Sequence, residues 1–324
     1  MKFLVLESHD PYLNLAIEEY LFLNSDEDVF MLWQNEPTVV IGKNQNAYGE
    51  IDRAFVKRNN IKVARRITGG GAVYHDLGNV NYTFISVATE QGIDFKRFCE
   101  PVISALKSIG VDAVLSGRND IETSSGFKIS GNAQYTKDGK VLHHGTLLFS
   151  SDLSMLSSSL RVDEEKLRTK AIKSTRSRVT NISDLINRDI DINEFISIIS
   201  SFILSTYSLE KISPPTFEDV QSLYHKYSSE EWIYSNTDFL SSYIISKKKR
   251  YPFGTVDIRL GMKGDVISSA KIYGDFFGSL PIEELESLFC GANLSDISSV
   301  FVNVSVSDYI FGMTSDELIR LIIE

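Results

Sequence analysis

Arg65-Arg66-Ile67-Thr68-Gly69-Gly70-Gly71-Ala72-Val73-Tyr74-His75-Asp76 is the stretch on which the reading of this chain turns. Two arginines precede three consecutive glycines, and an apolar pair follows. Glycine has no Cβ, so such a turn lets a ligand approach bare backbone and meet several N–H donors. A neighbouring arginine pairs with phosphate or carboxylate in a forked geometry. The run therefore reads as an anion-binding loop, with a flexible hairpin turn as the alternative. It is not a G-x-G-x-x-G dinucleotide loop, and no Gly-Lys-Ser/Thr follows to make it a P-loop.

Outward from this run, residues 61–64 read as a strand entering the loop and 81–87 as a strand leaving it, which predicts a hairpin-like connection at a sheet edge. Upstream, Asp10-Pro11 pairs an N-cap with proline at the first helical position, opening a helix over 11–23. Leu13, Ile17 and Leu21 share one face of it, and Glu18-Glu19 point elsewhere. Strands follow at 29–33 and 38–41, and a helix at 95–109. Downstream lie Gly117-Arg118-Asn119-Asp120, then Lys128-Ile129-Ser130-Gly131-Asn132-Ala133-Gln134. A turn at Lys137-Asp138-Gly139-Lys140 leads to a strand over 141–149 that holds His143-His144-Gly145-Thr146.

From 151 to about 245 the pattern is mostly helical, interrupted by the basic, serine-rich loop 173–178. The uncharged stretch 195–209 is too short and serine-rich for a membrane span, and its helical spacing marks a packed amphipathic helix. Lys247-Lys248-Lys249-Arg250 marks a composition break and reads as a charged linker. Beyond it, strands at 253–260 and 266–273, a helix at 281–289 and the capping box Thr314-x-x-Glu317 describe a small α+β unit. The fold class is α/β (α+β): a mixed-sheet domain over 1–246 and a small accessory domain over 247–324.

The net charge of −10 argues against broad binding to nucleic acid or an anionic membrane. Cys99 and Cys290 form neither a metal spacing nor a disulfide framework, which suits a reducing cytoplasm. The apolar run Phe3-Leu4-Val5-Leu6 is too short for a signal peptide.

Taken in order, Arg65-Arg66-x-Thr68-Gly69-Gly70-Gly71-Ala72-Val73-Tyr74-His75-Asp76, Lys128-Ile129-Ser130-Gly131-Asn132-Ala133-Gln134 and His144-Gly145-Thr146 resemble the lipoate–protein ligase family. Asn14 to Glu19 and Arg176-Ser177-Arg178-Val179-Thr180-Asn181 add two further family-like blocks. The resemblance implies a catalytic domain related to biotin ligases, with the tail from about 247 similar to the accessory domain of the long ligases. It implies a two-step reaction. Lipoate and MgATP give lipoyl-AMP and pyrophosphate, and the lipoyl group then moves to a lysine of an acceptor. Acceptors would be lipoyl domains of 2-oxoacid dehydrogenase acyltransferase subunits and the glycine-cleavage H protein. The protein would work in the cytoplasm as a monomer.

That chemistry brings two anions together, so it needs fixed positive charge and backbone donors, which Arg66, Lys128 and the glycine loop offer. By resemblance, Lys128 contacts both lipoyl carbonyl and phosphate. Arg66 matches the phosphate-contacting arginine, whereas Arg65 orients the loop. Gly70, Gly71, Ala72, Val73 and Tyr74 would lie along the adenylate. Asn119 and Asp120 suit phosphate and Mg²⁺, with a plain turn as the rival reading. His144 and Gly145 would line the acyl pocket, or His144 is structural. The segment ending at Arg178 resembles a loop that closes over the adenylate. The rivals are an octanoyl or lipoyl transferase of the same fold, which uses a cysteine nucleophile, and a non-catalytic acyl- or nucleotide-binding protein.

Overall fold

Hydrophobic alternation sets one large sheet at the centre of the chain. The computed structural model describes residues 1–87, 94–161, 179–234 and 244–324. Its largest sheet has the order β11-β1-β2-β6-β10-β9-β8-β7. These strands are β1 (Lys2–Val5), β2 (Val29–Trp33), β6 (Asn79–Ser86), β7 (Ala113–Ser116), β8 (Asp120–Thr123), β9 (Lys128–Lys137), β10 (Lys140–Leu148) and β11 (Glu210–Lys211). β1 runs parallel to β2 and β11, and the other pairings are antiparallel, so the sheet is mixed.

Period-two patterning gives the sheet two different faces. Val80, Tyr82 and Phe84 of β6 face the helices Phe95–Ser108 and Ile192–Thr206 through Phe98, Val102, Phe195 and Ile199. The opposite face meets the helix Pro11–Asn24, whose Leu15, Ile17 and Leu21 pack with Trp33, Ile85 and Leu142. The Asp10 carboxylate caps that helix by accepting the Tyr12 N–H at 3.0 Å. Glu18 does not point away. It is 1% exposed and turned into the sheet among those apolar side chains, because it has buried polar partners there.

A second sheet has the order β4-β3-β5, from β3 (Thr38–Ile41), β4 (Lys62–Arg65) and β5 (Val73–His75). β3 is central, parallel to β4 and antiparallel to β5. The glycine loop is therefore not a hairpin. It crosses the end of β3 from one edge strand to the other. β5 has three residues, too few for alternation to register.

The C-terminal sheet is β12 (Ile245–Tyr251), β13 (Gly254–Lys263) and β14 (Val266–Gly274), packed against the helices Ile282–Phe289 and Ser315–Ile323. Thr314 and Glu317 form the capping box of the last helix. Lys247–Arg250 is not a linker. It pairs with Ile258–Thr255 of β13 inside β12, which begins at Ile245. β12 is an edge strand, where lysines face solvent and discourage pairing with other chains. That is why its composition reads as a linker.

The segment after β14 reaches back over the glycine loop. The Gly70 N–H donates to the Phe276 carbonyl at 3.2 Å, and the Gly274 N–H to the Asn44 carbonyl at 2.8 Å. A Cβ on Gly69 would lie 2.3 Å from the Phe276 oxygen, so glycine is what permits this approach. Arg118 donates to the Asp275 carbonyl at 3.3 Å and stacks 4.7 Å from the Phe277 ring centre.

Arg65 holds the small sheet to its surroundings. Its buried guanidinium donates to the carbonyls of Gly42, Lys43, Gln45, Trp232 and Ile233 at 2.7–3.0 Å. Burial lowers its pKa to about 10, which leaves it cationic at neutral pH. Arg65→Met removes every one of these donors while keeping an unbranched side chain. Urea denaturation is expected to show a loss of at least about 3 kcal/mol, since buried acceptors are left unpaired. A loss below about 1 kcal/mol would show that Arg65 does not carry this junction.

Candidate functional site

The glycine loop and the ends of β9 and β10 enclose a cavity of about 110 Å³. Arg66, Gly70, Gly71, Ala72, Val73, Asn119, Lys128, His144 and Gly145 line it, with Leu15, Trp33, Val40, His75 and Asn81. A second cavity of about 290 Å³ lies beside it, lined by Ala72, Val73, Tyr74, Asp120, Glu122 and Lys128 among others. The two share Ala72, Val73, Lys128, Gly131 and Thr146. Tyr74 and Asp120 line only the second. Arg178 and the predicted loop 173–178 lie outside the described residues.

Lys128 stands where the two cavities meet. It opens β9, and its Nζ donates to Asp120 Oδ1 at 2.8 Å. About a third of its side chain stays exposed. Gly131 pairs with Asp120 across the strands, and a Cβ there would sit 3.0 Å from Lys128 Nζ. Glycine thus leaves the lysine room to lie over β9. Glu122 follows Asp120 by two residues on β8 and lines the same cavity. The sequence reading overlooked it, although the alternation Asp120-x-Glu122 was its available signal. Asn119 is held in place by its own bond, from Nδ2 to the Asn132 carbonyl at 2.6 Å. Gly145 has no room for a side chain, since its Cβ would lie 2.1 Å from Asn132 Oδ1.

Arg66 is buried and shapes the loop that follows it. Nε donates to Thr68 Oγ1 at 2.9 Å, Nη1 to the Val40 carbonyl at 3.1 Å, and Nη2 to the Gly69 and Gly71 carbonyls at 2.7 and 2.8 Å. Burial lowers its pKa to about 10, and the Glu18 charge opposes that shift.

A chain of hydrogen bonds runs on from Thr68. Thr68 Oγ1 accepts from Arg66 and lies within hydrogen-bond distance of His144 Nε2, 2.9 Å away. His144 Nδ1 lies 2.9 Å from Glu18 Oε1 and donates to it. From the other side, the Trp33 indole donates to Thr83 Oγ1 at 3.0 Å, and Thr83 donates to the same Glu18 oxygen at 2.6 Å. Both chains end on one buried carboxylate, which balances the buried guanidinium of Arg66. Neither Glu18 nor Thr68 stood out in the sequence as a site residue, because a carboxylate beside a second glutamate reads as a solvated face.

A cysteine–histidine pair lies on the other side of the sheet. Cys99 Sγ is 3.8 Å from His143 Nε2. Burial pushes the thiol up to about 12 and holds the imidazole well below its ordinary range. A neutral thiol beside an imidazole that resists protonation is packing, not an activated nucleophile. Neither Cys99 nor Cys290 lines either cavity.

The Lipoyl protein ligase A/B catalytic domain family matches residues 10–203, and the Bacterial lipoate protein ligase C-terminus family matches 241–322. Lipoate-protein ligase LplJ of Bacillus subtilis (strain 168) is 39% identical over 325 residues, covering 97% of each chain. Among solved structures, P. falciparum LipL1 in complex with lipoate has a TM-score of 0.76 at 26% identity, over 94% of each chain. A lipoate-protein ligase A bound with ATP has a TM-score of 0.62 at 30% identity, over 72% of this chain and 98% of that one. The bi-partite lipoate protein ligase of Thermoplasma acidophilum, described with its E2 lipoyl domain, has a TM-score of 0.64 at 33% identity, over 72% and 95%. This chain belongs to the lipoate–protein ligase family.

His75 and His143 are buried and resist protonation, His75 with a pKa lowered to about 3 by burial and then by the Arg66 charge. In the unfolded chain both take up protons near pH 6.5. Stability from these groups is therefore full above about pH 6.5 and falls as the pH drops from there toward 3. Melting temperature is expected to decline between pH 7.5 and 5, and His143→Phe, which can keep the ring stacking, should shrink that decline. An identical pH slope in the variant would contradict it.

Proposed function

We propose that this ligase activates lipoate with ATP to lipoyl-AMP and transfers the lipoyl group to a lysine of an acceptor lipoyl domain. The observation that carries the reading is the position of Lys128. One cavity beside it reaches in to Leu15, Trp33 and Val40, suiting an acyl chain. The other carries Asp120 and Glu122 with Ala72, Val73 and Tyr74, suiting a nucleotide and its metal. The lysine at the junction lies next to the carboxylate and the α-phosphate together.

In the first step a lipoate carboxylate oxygen attacks the α-phosphorus, the bond to the β-phosphate breaks, and pyrophosphate leaves. Lys128 offsets the repulsion between the two anions and the charge that develops on the phosphate. Its ion pair with Asp120 holds it near that place beforehand. Asp120 and Glu122 are the carboxylates that would hold Mg²⁺, which prefers one or two carboxylates with phosphate oxygens and neutralises phosphate charge. In the second step an acceptor amine attacks the lipoyl carbonyl carbon, AMP leaves, and an amide forms. Lys128 then stabilises the oxyanion and the departing phosphate.

The bound ATP and lipoate of the family structures support the substrates, and the E2 lipoyl domain of the archaeal system supports the acceptor class. The glycine-cleavage H protein is a second acceptor of the same kind. We assign adenylation to residues 1–244 together with the docked C-terminal unit, whose Phe276 carbonyl touches the loop. The cysteine-dependent transferase reading has no thiol in either cavity.

Lys128→Ala is expected to lower both half-reactions by about 10²–10³ while the protein stays folded. Pyrophosphate release and transfer from supplied lipoyl-AMP measure the two steps separately. Near-normal adenylate formation by the folded variant would overturn the assignment. A Cys99→Ala/Cys290→Ser double variant is expected to lipoylate an acceptor in an ATP-dependent manner. Transfer by the unaltered protein without ATP, or loss of activity in a folded cysteine-free protein, would favour the transferase.

A further inference from the structure

The acyl cavity runs across the large sheet, and strand register places its two ends. Trp33 pairs with Asn81, and Asn81 with Thr146. Thr146 Oγ1 accepts the Gly131 N–H at 3.1 Å, and Gly131 pairs with Asp120 beside Lys128. Asn81 on β6 is thus two strand spacings, roughly 10 Å, from β9. That suits the length of a lipoyl chain whose carboxylate lies at Lys128. The Lys128 end is open, and a carboxylate that must meet ATP and an acceptor belongs there. The Trp33 end is closed, with His75 4% and Asn81 2% exposed.

At this closed end two side chains each keep one polar atom without a hydrogen-bond partner among the described residues. The Asn14 Nδ2 atom donates to the Ser8 and Gln34 carbonyls and to Asn35 Oδ1. The Asn35 amide is thereby oriented, and its Nδ2 donates to His75 Nδ1 at 3.1 Å. The proton of neutral His75 is therefore on Nε2, which has no hydrogen-bond partner among the described residues. Asn81 shares one bond with the Asn79 amide, Nδ2 to Oδ1 at 2.9 Å. Whichever way both amides are turned, one polar atom of Asn81 stays unpaired among the described residues.

Resting on the ligase reading, we propose that His75 and Asn81 recognise the dithiolane sulfurs of lipoate and so set its preference over a saturated acid of the same length. A buried N–H without a partner is unfavourable, and a hydrocarbon tail leaves it so. A sulfur is a weak acceptor and relieves it in part. The Trp33 ring, edge-on to His75 at 6.1 Å, adds sulfur–aromatic contact. A site built to bond a polar group discriminates against the analogue that lacks it, and weak acceptance by sulfur scales the effect to about tenfold.

The direct test uses the unaltered full-length protein and two ligands of one shape: lipoate and 5-cyclopentylpentanoate, in which methylenes replace both sulfurs. Calorimetric binding and kcat/KM for pyrophosphate release are expected to favour lipoate about tenfold. Equal binding would overturn the proposal. His75→Phe and Asn81→Leu are each expected to reduce the ratio several-fold, and His75→Gln, which keeps an N–H donor, to retain more of it. Equal losses for both acids would mean that these residues only shape the pocket, and the proposal would fall. Absence of pyrophosphate release with either acid would instead refute the ligase reading, and the calorimetric ratio would still decide the subsite.

Discussion

A guanidinium removed from water must be surrounded by oxygen, and two adjacent guanidinia in this chain are. Arg65 reaches five backbone carbonyls, and Arg66 reaches three carbonyls and the Thr68 hydroxyl. Those oxygens belong to β3 and the turn after it, to the glycine loop, and to the helix Glu230–Tyr234. Burying such a charge is unfavourable unless it is fully bonded and balanced. Once it is, the loops have a single arrangement. The Arg66 charge is balanced by Glu18 through Thr68 and His144, so the first helix, the glycine loop and β10 are tied to one another.

The shape of the site follows from that tie. With the loop carbonyls turned inward to Arg66, the loop crosses the end of β3 and walls two cavities, one on each side of Lys128. One lies over the sheet between Trp33 and β9, and the other lies toward Asp120 and Glu122. Under the proposed reaction, a carboxylate and a phosphate brought in from opposite sides would meet at the one lysine both cavities share. The Phe276 carbonyl on the Gly70 N–H ties the C-terminal unit to the same loop.

Much of this was legible in the sequence, and the gaps have physical causes. Alternation marked β6 and the C-terminal hairpin, a short apolar run bounded by turn residues marked β2, and local caps marked the first and last helices. Long-range pairing was not legible. Nothing local says that β4 and β5 flank β3, so the loop between them looked like a hairpin. Glu18 looked solvated because its partners Thr83 and His144 lie 65 and 126 residues away. Lys247–Arg250 looked like a linker because an exposed edge strand has the composition of one. The family blocks named most of the residues that line the two cavities, but not that Arg66 turns its guanidinium onto loop carbonyls.

The central claim is that acyl chain and nucleotide enter from opposite sides and meet at Lys128. A crystal structure with a non-hydrolysable lipoyl-adenylate, its phosphate replaced by a sulfamate, tests it most directly. The ring of the lipoyl group is expected against Trp33 and His75, the sulfamate within hydrogen-bond distance of Lys128 Nζ, and the adenosine beyond Ala72 and Val73 toward Tyr74. A lipoyl tail in the Asp120–Glu122 cavity, or a sulfamate remote from Lys128, would contradict it.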